Sequence, residues 1–290
     1  MQAWVQAIRW HQWAKNVLIF VPMVVGQGFY DPGKIEAAVV GFVLLCAVAS
    51  ASYIINDIVD LEADRAHPTK SKRPFASGRL SIRRGIIVAT VSIVVALLFA
   101  IKLSPAFALV LASYLAGALL YSFYLKRIPL LDVFIIGSLF TSRILMGSVA
   151  SSQGQSPWLL SFSMFFFFSL ALAKRHAEIM EAKERGAVLV LGRGYRADDW
   201  PLTLVFGITA GLSSTVIMLL YVTNDAAPSN FYREIGWLYV APAATTLWLL
   251  RIWLLSHRMS LDDDPVVFAL SDGVSWLLGL IVVAAIVLAI

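Results

Sequence analysis

Nine long apolar stretches restrict how this chain folds more than any other feature. Each is a continuous run rather than an alternation of apolar and polar residues, which predicts membrane-spanning helices and argues against a transmembrane β-barrel. Only 14% of the residues are charged, against about 25% in soluble domains. We therefore predict an all-α, polytopic membrane protein: one integral-membrane domain over residues 1–290, with its helices around a central cavity. The nine segments are residues 16–30, 35–55, 82–101, 104–124, 129–150, 156–173, 201–223, 234–256 and 272–290.

The distribution of positive charge predicts the orientation in the membrane. Most of the 23 Lys and Arg residues lie before the first segment or in the loops that follow every second segment. Loops rich in these residues favour the cytoplasmic side. The N-terminus, these loops and the active site are therefore expected at the cytoplasmic face of an inner (plasma) membrane. An odd number of spans places Ile290 outside.

Three aspartates at the end of the second segment carry the strongest chemical signal. Asp57, Asp60 and Asp64 are spaced i, i+3 and i+7, which places their carboxylates on one face of a helix. Neighbouring carboxylates at a membrane boundary repel one another and need a cation between them. Oxygen ligands suit Mg²⁺, which shares its coordination shell with substrate phosphates. The alternative is a solvated helix end whose aspartates pair with Arg65 and Lys70.

Further polar residues cluster on the same predicted side. The Lys and Arg residues that follow the aspartates suit phosphate oxygens. The structural alternative for each of these residues is a membrane anchor or a surface ion pair. Asp132 and Arg143 share one apolar segment but stand three helical turns apart, so we expect separate partners for them. The acidic run at 262–264 is assigned to a helix start or a solvated loop. The candidate substrate- or phosphate-binding residues are Lys15, Asn16, Asn56, Arg65, Lys70, Arg73, Tyr121, Lys126, Arg143, Lys174, Arg175 and Glu178.

Two motifs together resemble the UbiA-type intramembrane prenyltransferase superfamily. They are N-D-x-x-D-x-x-x-D-R at 56–65 and Y-S-x-x-L-K-R-x-P-x-L-D at 121–132. The resemblance implies a helical bundle with a hydrophobic cavity for an isoprenoid chain. It also implies that Asp57, Asp60 and Asp64 are catalytic residues that bind a diphosphate through Mg²⁺, the expected cofactor.

The second acidic motif of that superfamily is replaced here by K-R-H-A-E at 174–178. With Q-W-x-K-N at 12–16 and H-P-T-K-x-x-R-P at 67–74, the chain resembles the decaprenyl-phosphate phosphoribosyltransferase branch. That resemblance implies transfer of a 5-phosphoribosyl group from phosphoribosyl pyrophosphate to a polyprenyl phosphate, for lipid-linked pentose and cell-envelope glycan synthesis. The added cations suit substrates that carry three phosphate positions rather than one diphosphate.

Two other functions stay open at this point. One is a Mg²⁺-dependent prenyltransferase that uses an aromatic or other small acceptor, and the other is a non-catalytic transporter or lipid-binding protein. The one-sided distribution of polar residues argues against transport. Membrane and lipid are the expected partners, nucleic acid is not, and the oligomeric state is open.

Overall fold

Helices dominate the computed structural model, which describes residues 2–26, 28–67, 69–190, 192–227, 231–261 and 265–290. Across these residues the only β pairing is an isolated bridge between Leu189 and Arg196. The predicted all-α class is confirmed, while the acidic run at 262–264 lies outside the described residues. The helices are α1 Gln2–Ile8, α2 Val21–Val25, α3 Pro32–Val59, α4 Leu61–Ala66, α5 Ile82–Leu103, α6 Pro105–Phe123, α7 Leu131–Ala150, α8 Pro157–Glu184, α9 Trp200–Tyr221, α10 Val240–His257, α11 Pro265–Ser271 and α12 Gly273–Ala289.

Seven helical stretches of the described chain are long and apolar enough to cross a membrane. An eighth is added if α11 and α12, which meet at an angle of 84°, count as one bent span. The expected number of nine is thus not confirmed: the predicted segment 16–30 is not among these spans, and segment 272–290 is counted only as part of the bent pair. This part of the chain forms a 3₁₀-helix at Trp10–Phe20 that continues into the short α2. Because a 3₁₀-helix rises about 2 Å per residue, these 16 residues reach about 30 Å.

The first of two compact units comprises Met1–Lys126 and Leu139–Gln155. In it α3 packs against α5 and α6, and the N-terminal 3₁₀-helix packs against α3. The backbone of this 3₁₀-helix approaches α7 so closely that a Cβ at Gly147 would collide with the carbonyl oxygen of Ile19. Close packing therefore fixes the N-terminal segment against the core. The core side chains include Ile19, Leu45, Val48, Phe107, Leu111 and Met146.

The second unit comprises Arg127–Ser138 and Ser156–Ile290 and is built around the contact of α8 with α9. Ser169 on α8 donates a hydrogen bond of 2.7 Å to the carbonyl oxygen of Gly207 on α9. Its hydroxyl also accepts one of 3.0 Å from Nε1 of Trp253 on α10. A Cβ at Gly207 would overlap the Trp253 ring, so glycine lets the three helices meet here.

A charged side chain stands at each of two breaks between helices. Asp60 stands between α3 and α4, outside the regular helix at φ −88° and ψ 11°. The aspartate motif therefore bends where we predicted one continuous helix. Asp272 stands between α11 and α12, where it caps the N-terminus of α12 by accepting from the backbone N–H of Ser275 at 2.8 Å. Arg251 on α10 holds this second break with two hydrogen bonds to Asp272, of 2.7 and 2.9 Å.

Candidate active site

Asp57 lies near the C-terminal end of α3 and is the most enclosed aspartate of its motif, with 2% of its surface exposed. Its Oδ1 accepts from Nη2 of Arg9 at 2.5 Å and from Nη1 of Arg73 at 3.2 Å. A buried carboxylate needs such partners, because burial without them is costly. Two guanidinium groups therefore hold the charge of Asp57.

Asp64 shares one of these guanidinium groups with Asp57. Nη1 of Arg73 lies 2.7 Å from Oδ2 of Asp64, so the same nitrogen contacts both carboxylates. Asp60 points elsewhere and binds Nζ of Lys126 at 2.5 Å. The ion pairs with Arg65 and Lys70 that the alternative interpretation requires are not formed among the described residues. The two outer aspartates thus converge on one cationic group, and the middle one binds a separate cation.

The fit of Mg²⁺ to this motif rests on that convergence. No group of three or more His, Cys, Asp or Glu residues in the described chain lies close enough to hold a metal ion. Mg²⁺, however, is commonly bound by one or two carboxylates, with waters and substrate phosphates completing the shell. Asp57 and Asp64 supply two carboxylate oxygens around the position that Arg73 Nη1 takes. This donor set fits a Mg²⁺ ion that is bound together with a phosphorylated substrate.

Arg143 forms a second polar centre inside the first unit. It is 5% exposed and donates to three neutral acceptors: Oδ1 of Asn16 at 3.0 Å, the Leu139 carbonyl at 2.6 Å and the Tyr114 hydroxyl at 3.1 Å. Asn16 in turn donates to Sγ of Cys46 on α3 at 3.2 Å. In the part of the chain that the structure describes, no carboxylate lies within ion-pair distance of Arg143. Its charge is solvated by dipoles but not neutralised.

Lys15 lies beside this centre, with Nζ 5.7 Å from the centroid of the Phe140 ring. The guanidinium of Arg143 lies 4.8 Å from the same centroid. Two cations thus approach one aromatic side chain, which attracts positive charge to its faces. This places Lys15 and Asn16, both predicted from the Q-W-x-K-N motif, next to Arg143.

A buried ion pair organises the second unit. Nε of Arg175 on α8 donates to Oδ2 of Asp132 at 3.0 Å, and Nη1 contacts Glu178. Arg175 and Asp132 are 2% and 0% exposed. Asp132 and Arg143 therefore have different partners, as the sequence predicts. Arg175, which we predicted to bind phosphate, contacts two carboxylates in this structure, and its role as a phosphate ligand stays a prediction.

Tyr195 ties the loop after α8 to the same pair. Its hydroxyl donates to Oδ1 of Asp132 at 2.8 Å and accepts from the backbone N–H of Leu130 at 2.7 Å. Burial raises the pKa of Tyr195, so the phenol keeps the proton that it donates. Gly194, at φ +74°, leaves no room for a Cβ beside the Arg127 carbonyl. The glycine is required for this close approach.

The remaining predicted residues lie at the edges of these centres. Lys174 is half-buried and makes no ion pair with the described residues. Asn56 is half-buried, and its backbone carbonyl accepts a hydrogen bond from the backbone N–H of Asp60 at 2.9 Å. Lys70 and Arg65 are exposed, and Tyr121 is half-buried near the end of α6.

Three residues that these centres use are not among the predicted site residues: Arg9, Tyr114 and Tyr195. Arg9 had been counted only toward the positive charge of the N-terminus, although it binds Asp57 directly. Its place directly before an aromatic-rich apolar segment is the one signal available in the sequence. The two tyrosines carry no local signal, because their partners are distant in the chain.

Comparisons with known proteins agree with this architecture. A model of the UbiA prenyltransferase family matches residues 19–273. A structure of a UbiA homolog from Archaeoglobus fulgidus bound to GPP and Mg²⁺ has a TM-score of 0.70 at 16% identity, covering 99% of this chain and 98% of the other. At this identity the likeness supports the fold alone.

Two relatives extend the comparison to sequence. The uncharacterized protein y4nM of Sinorhizobium fredii is 49% identical over 99% of this chain, which spans 55% of that protein's length. The decaprenyl-phosphate phosphoribosyltransferase of Corynebacterium glutamicum is 32% identical over 99% of this chain and 86% of its own length. The family match covers most of the sequence, and the chain belongs to the UbiA prenyltransferase family.

Proposed function

We propose that this transferase moves a 5-phosphoribosyl group from phosphoribosyl pyrophosphate to a polyprenyl phosphate. The observation that carries the proposal is the buried, un-neutralised charge of Arg143. A buried cation without an anionic partner is costly inside a membrane protein unless a bound substrate supplies the anion. The phosphate of a lipid acceptor supplies that anion, and it reaches the site from the membrane.

The spacing along α3 supports separate positions for two phosphorylated groups. Asp57 lies at the cytoplasmic end predicted for α3, whereas Cys46 adjoins the Asn16–Arg143 centre. Asp57 follows Cys46 by eleven positions, which correspond to about 16 Å along the helix axis. A pyrophosphate at the aspartates and a lipid phosphate at Arg143 therefore need not compete for one position.

Different residues of the chain bind the leaving pyrophosphate and the lipid phosphate. Asp57 and Asp64 would hold Mg²⁺, which when bound neutralises charge on the leaving pyrophosphate. Arg73 and Lys126, released from the aspartates, donate to the pyrophosphate oxygens. Arg143 and Asn16 orient the lipid phosphate.

The reaction is then a displacement at the ribose anomeric carbon. A lipid phosphate oxygen forms the new C1–O bond while the C1–pyrophosphate bond breaks, and pyrophosphate leaves with the electron pair. The attacking phosphate is already ionised near neutral pH, so no protein base is required. Positioning and electrostatic stabilisation by the named cations supply the catalysis.

The test uses the full chain in lipid nanodiscs with Mg²⁺, polyprenyl phosphate and ribose-labelled phosphoribosyl pyrophosphate. We expect label to enter the organic phase, and to stay in the aqueous phase with EDTA or with the Asp57→Asn variant. The competing function is tested in parallel with a labelled prenyl diphosphate and aromatic acceptors. Prenyl transfer by folded protein that leaves the ribose label in the aqueous phase would overturn the proposal.

A further inference from the structure

A cavity of about 520 Å³ opens beside the aspartate motif on the surface of the first unit. It lies between the N-terminal segment and the turn that follows α4. The charged and titratable groups among its lining residues are Arg9, His11, Asp57, Lys72, Arg73 and Arg79. Four permanent cations thus face one carboxylate, so the cavity carries an excess of positive charge.

Two of these cations are not used by the aspartates. Nη2 of Arg79 donates to the Lys72 carbonyl at 2.5 Å, and its Nε donates to the Ser77 hydroxyl at 3.1 Å. Lys72 forms no ion pair with the described residues. Both side chains are exposed on a turn that neutral backbone and hydroxyl groups hold in place. Their charges are therefore available to a ligand.

Arg9 joins the cavity to the aspartate motif. Its φ of 51° lies in the left-handed region, which costs a non-glycine residue about 1–2 kcal/mol. This backbone turn separates α1 from the 3₁₀-helix, and α1 is fixed by packing around the buried Ala7. The guanidinium lines the cavity together with Asp57, which it contacts at 2.5 Å, and lies 5.1 Å from the Tyr53 ring centroid. Strain held at such a border is typical of a functional position.

We propose that this cavity binds a phosphate monoester and, in the proposed reaction, takes the 5-phosphate of the donor sugar. The proposal rests on the function proposed above. The volume lies in the range of small-molecule sites. Lys72 and Arg79 offer charge-assisted donors to a dianionic phosphate. The aspartates then receive the pyrophosphate, so the donor lies with its two phosphorylated ends in neighbouring positions.

Binding of ribose 5-phosphate tests this without turnover. Calorimetry uses the full chain in phosphatidylcholine nanodiscs, with EDTA and without acceptor lipid. We expect Lys72→Gln and Arg79→Gln each to weaken binding about tenfold, as the loss of one charge-assisted hydrogen bond implies. The control Arg83→Gln removes an exposed charge from α5 outside the cavity and should leave binding unchanged. Inorganic phosphate should compete with ribose 5-phosphate.

Three results would overturn the inference: no binding by folded wild-type protein, equal weakening in the Arg83→Gln control, or no weakening in either cavity variant. A lipid headgroup is the other source of a phosphate. If phosphatidylglycerol in the nanodiscs displaces ribose 5-phosphate through the cavity residues, the cavity is a headgroup site and the sugar-phosphate assignment falls. Cavity-dependent binding without any ribosyl transfer would retain the site and reject only the proposed reaction.

Discussion

Replacing Arg143 with Met separates a substrate-binding charge from a structural one. The substitution keeps a long apolar side chain and removes the guanidinium. An arginine in the centre of a membrane helix costs about 2.5–3.5 kcal/mol, whereas each hydrogen bond from a charged donor contributes about 1.5–3 kcal/mol. Arg143 makes three such bonds and has no carboxylate partner in the described chain, so the bonds exceed the cost of the charge by about 1–6 kcal/mol. We expect the melting temperature to fall by at least a few degrees.

Acceptor use should respond differently. Loss of one charge-assisted hydrogen bond to a phosphate corresponds to about a 10- to 100-fold rise in the KM for polyprenyl phosphate. The KM for phosphoribosyl pyrophosphate should stay close to that of the wild type, because the donor is bound at the aspartates. Initial rates of label transfer at varied lipid concentration measure the first effect, and rates at varied donor concentration measure the second. Arg143→Lys should recover part of the acceptor affinity.

Arg251 offers a matched control, because it also lies on a membrane helix but pairs with a carboxylate. Arg251→Met removes the two hydrogen bonds that Arg251 donates to Asp272. We therefore expect a lower melting temperature and an unchanged KM for the lipid. The two variants should therefore differ in the KM for the lipid, which only Arg143→Met should raise. If Arg143→Met instead unfolds the protein while leaving the acceptor KM of the folded fraction unchanged, Arg143 is structural and the reasoning is wrong.

Three further substitutions test other contacts. Asp57→Asn should lower turnover at least about 100-fold while gel filtration and circular dichroism stay unchanged, since it weakens an oxygen donor to Mg²⁺ without changing shape; near-normal turnover would contradict the metal-site assignment. Tyr195→Phe should destabilise the loop after α8 by about 1–3 kcal/mol, because it leaves the Leu130 N–H without its acceptor and the buried Asp132 without one donor; limited proteolysis as slow as in the wild type would contradict this. Gly194→Ala should destabilise more than Gly186→Ala, since both have positive φ but only Gly194 faces a backbone carbonyl; equal melting temperatures would exclude the steric contribution.

The sequence alone predicted the helical membrane class and the aspartate motif as the chemical centre. Both follow from local properties: the length of apolar runs and the spacing of carboxylates within ten residues. Each of the nine predicted segments has a helical counterpart in the described chain. The first segment forms a 3₁₀-helix, which hydropathy does not distinguish from an α-helix. This 3₁₀-helix packs closely against α7 at Gly147.

Only the tertiary structure decided which charges neutralise each other. The basic motif at 174–178 favoured Arg175 as a phosphate ligand, but Asp132, 43 residues earlier, engages it in a buried pair. Arg143 is held by Asn16, 127 residues away, and no carboxylate of the described chain joins them. Arg9 meets Asp57 across 48 residues. An ion pair depends on which helices pack together, so local sequence determines that a charge is present, while the fold determines whether that charge is free to meet a substrate.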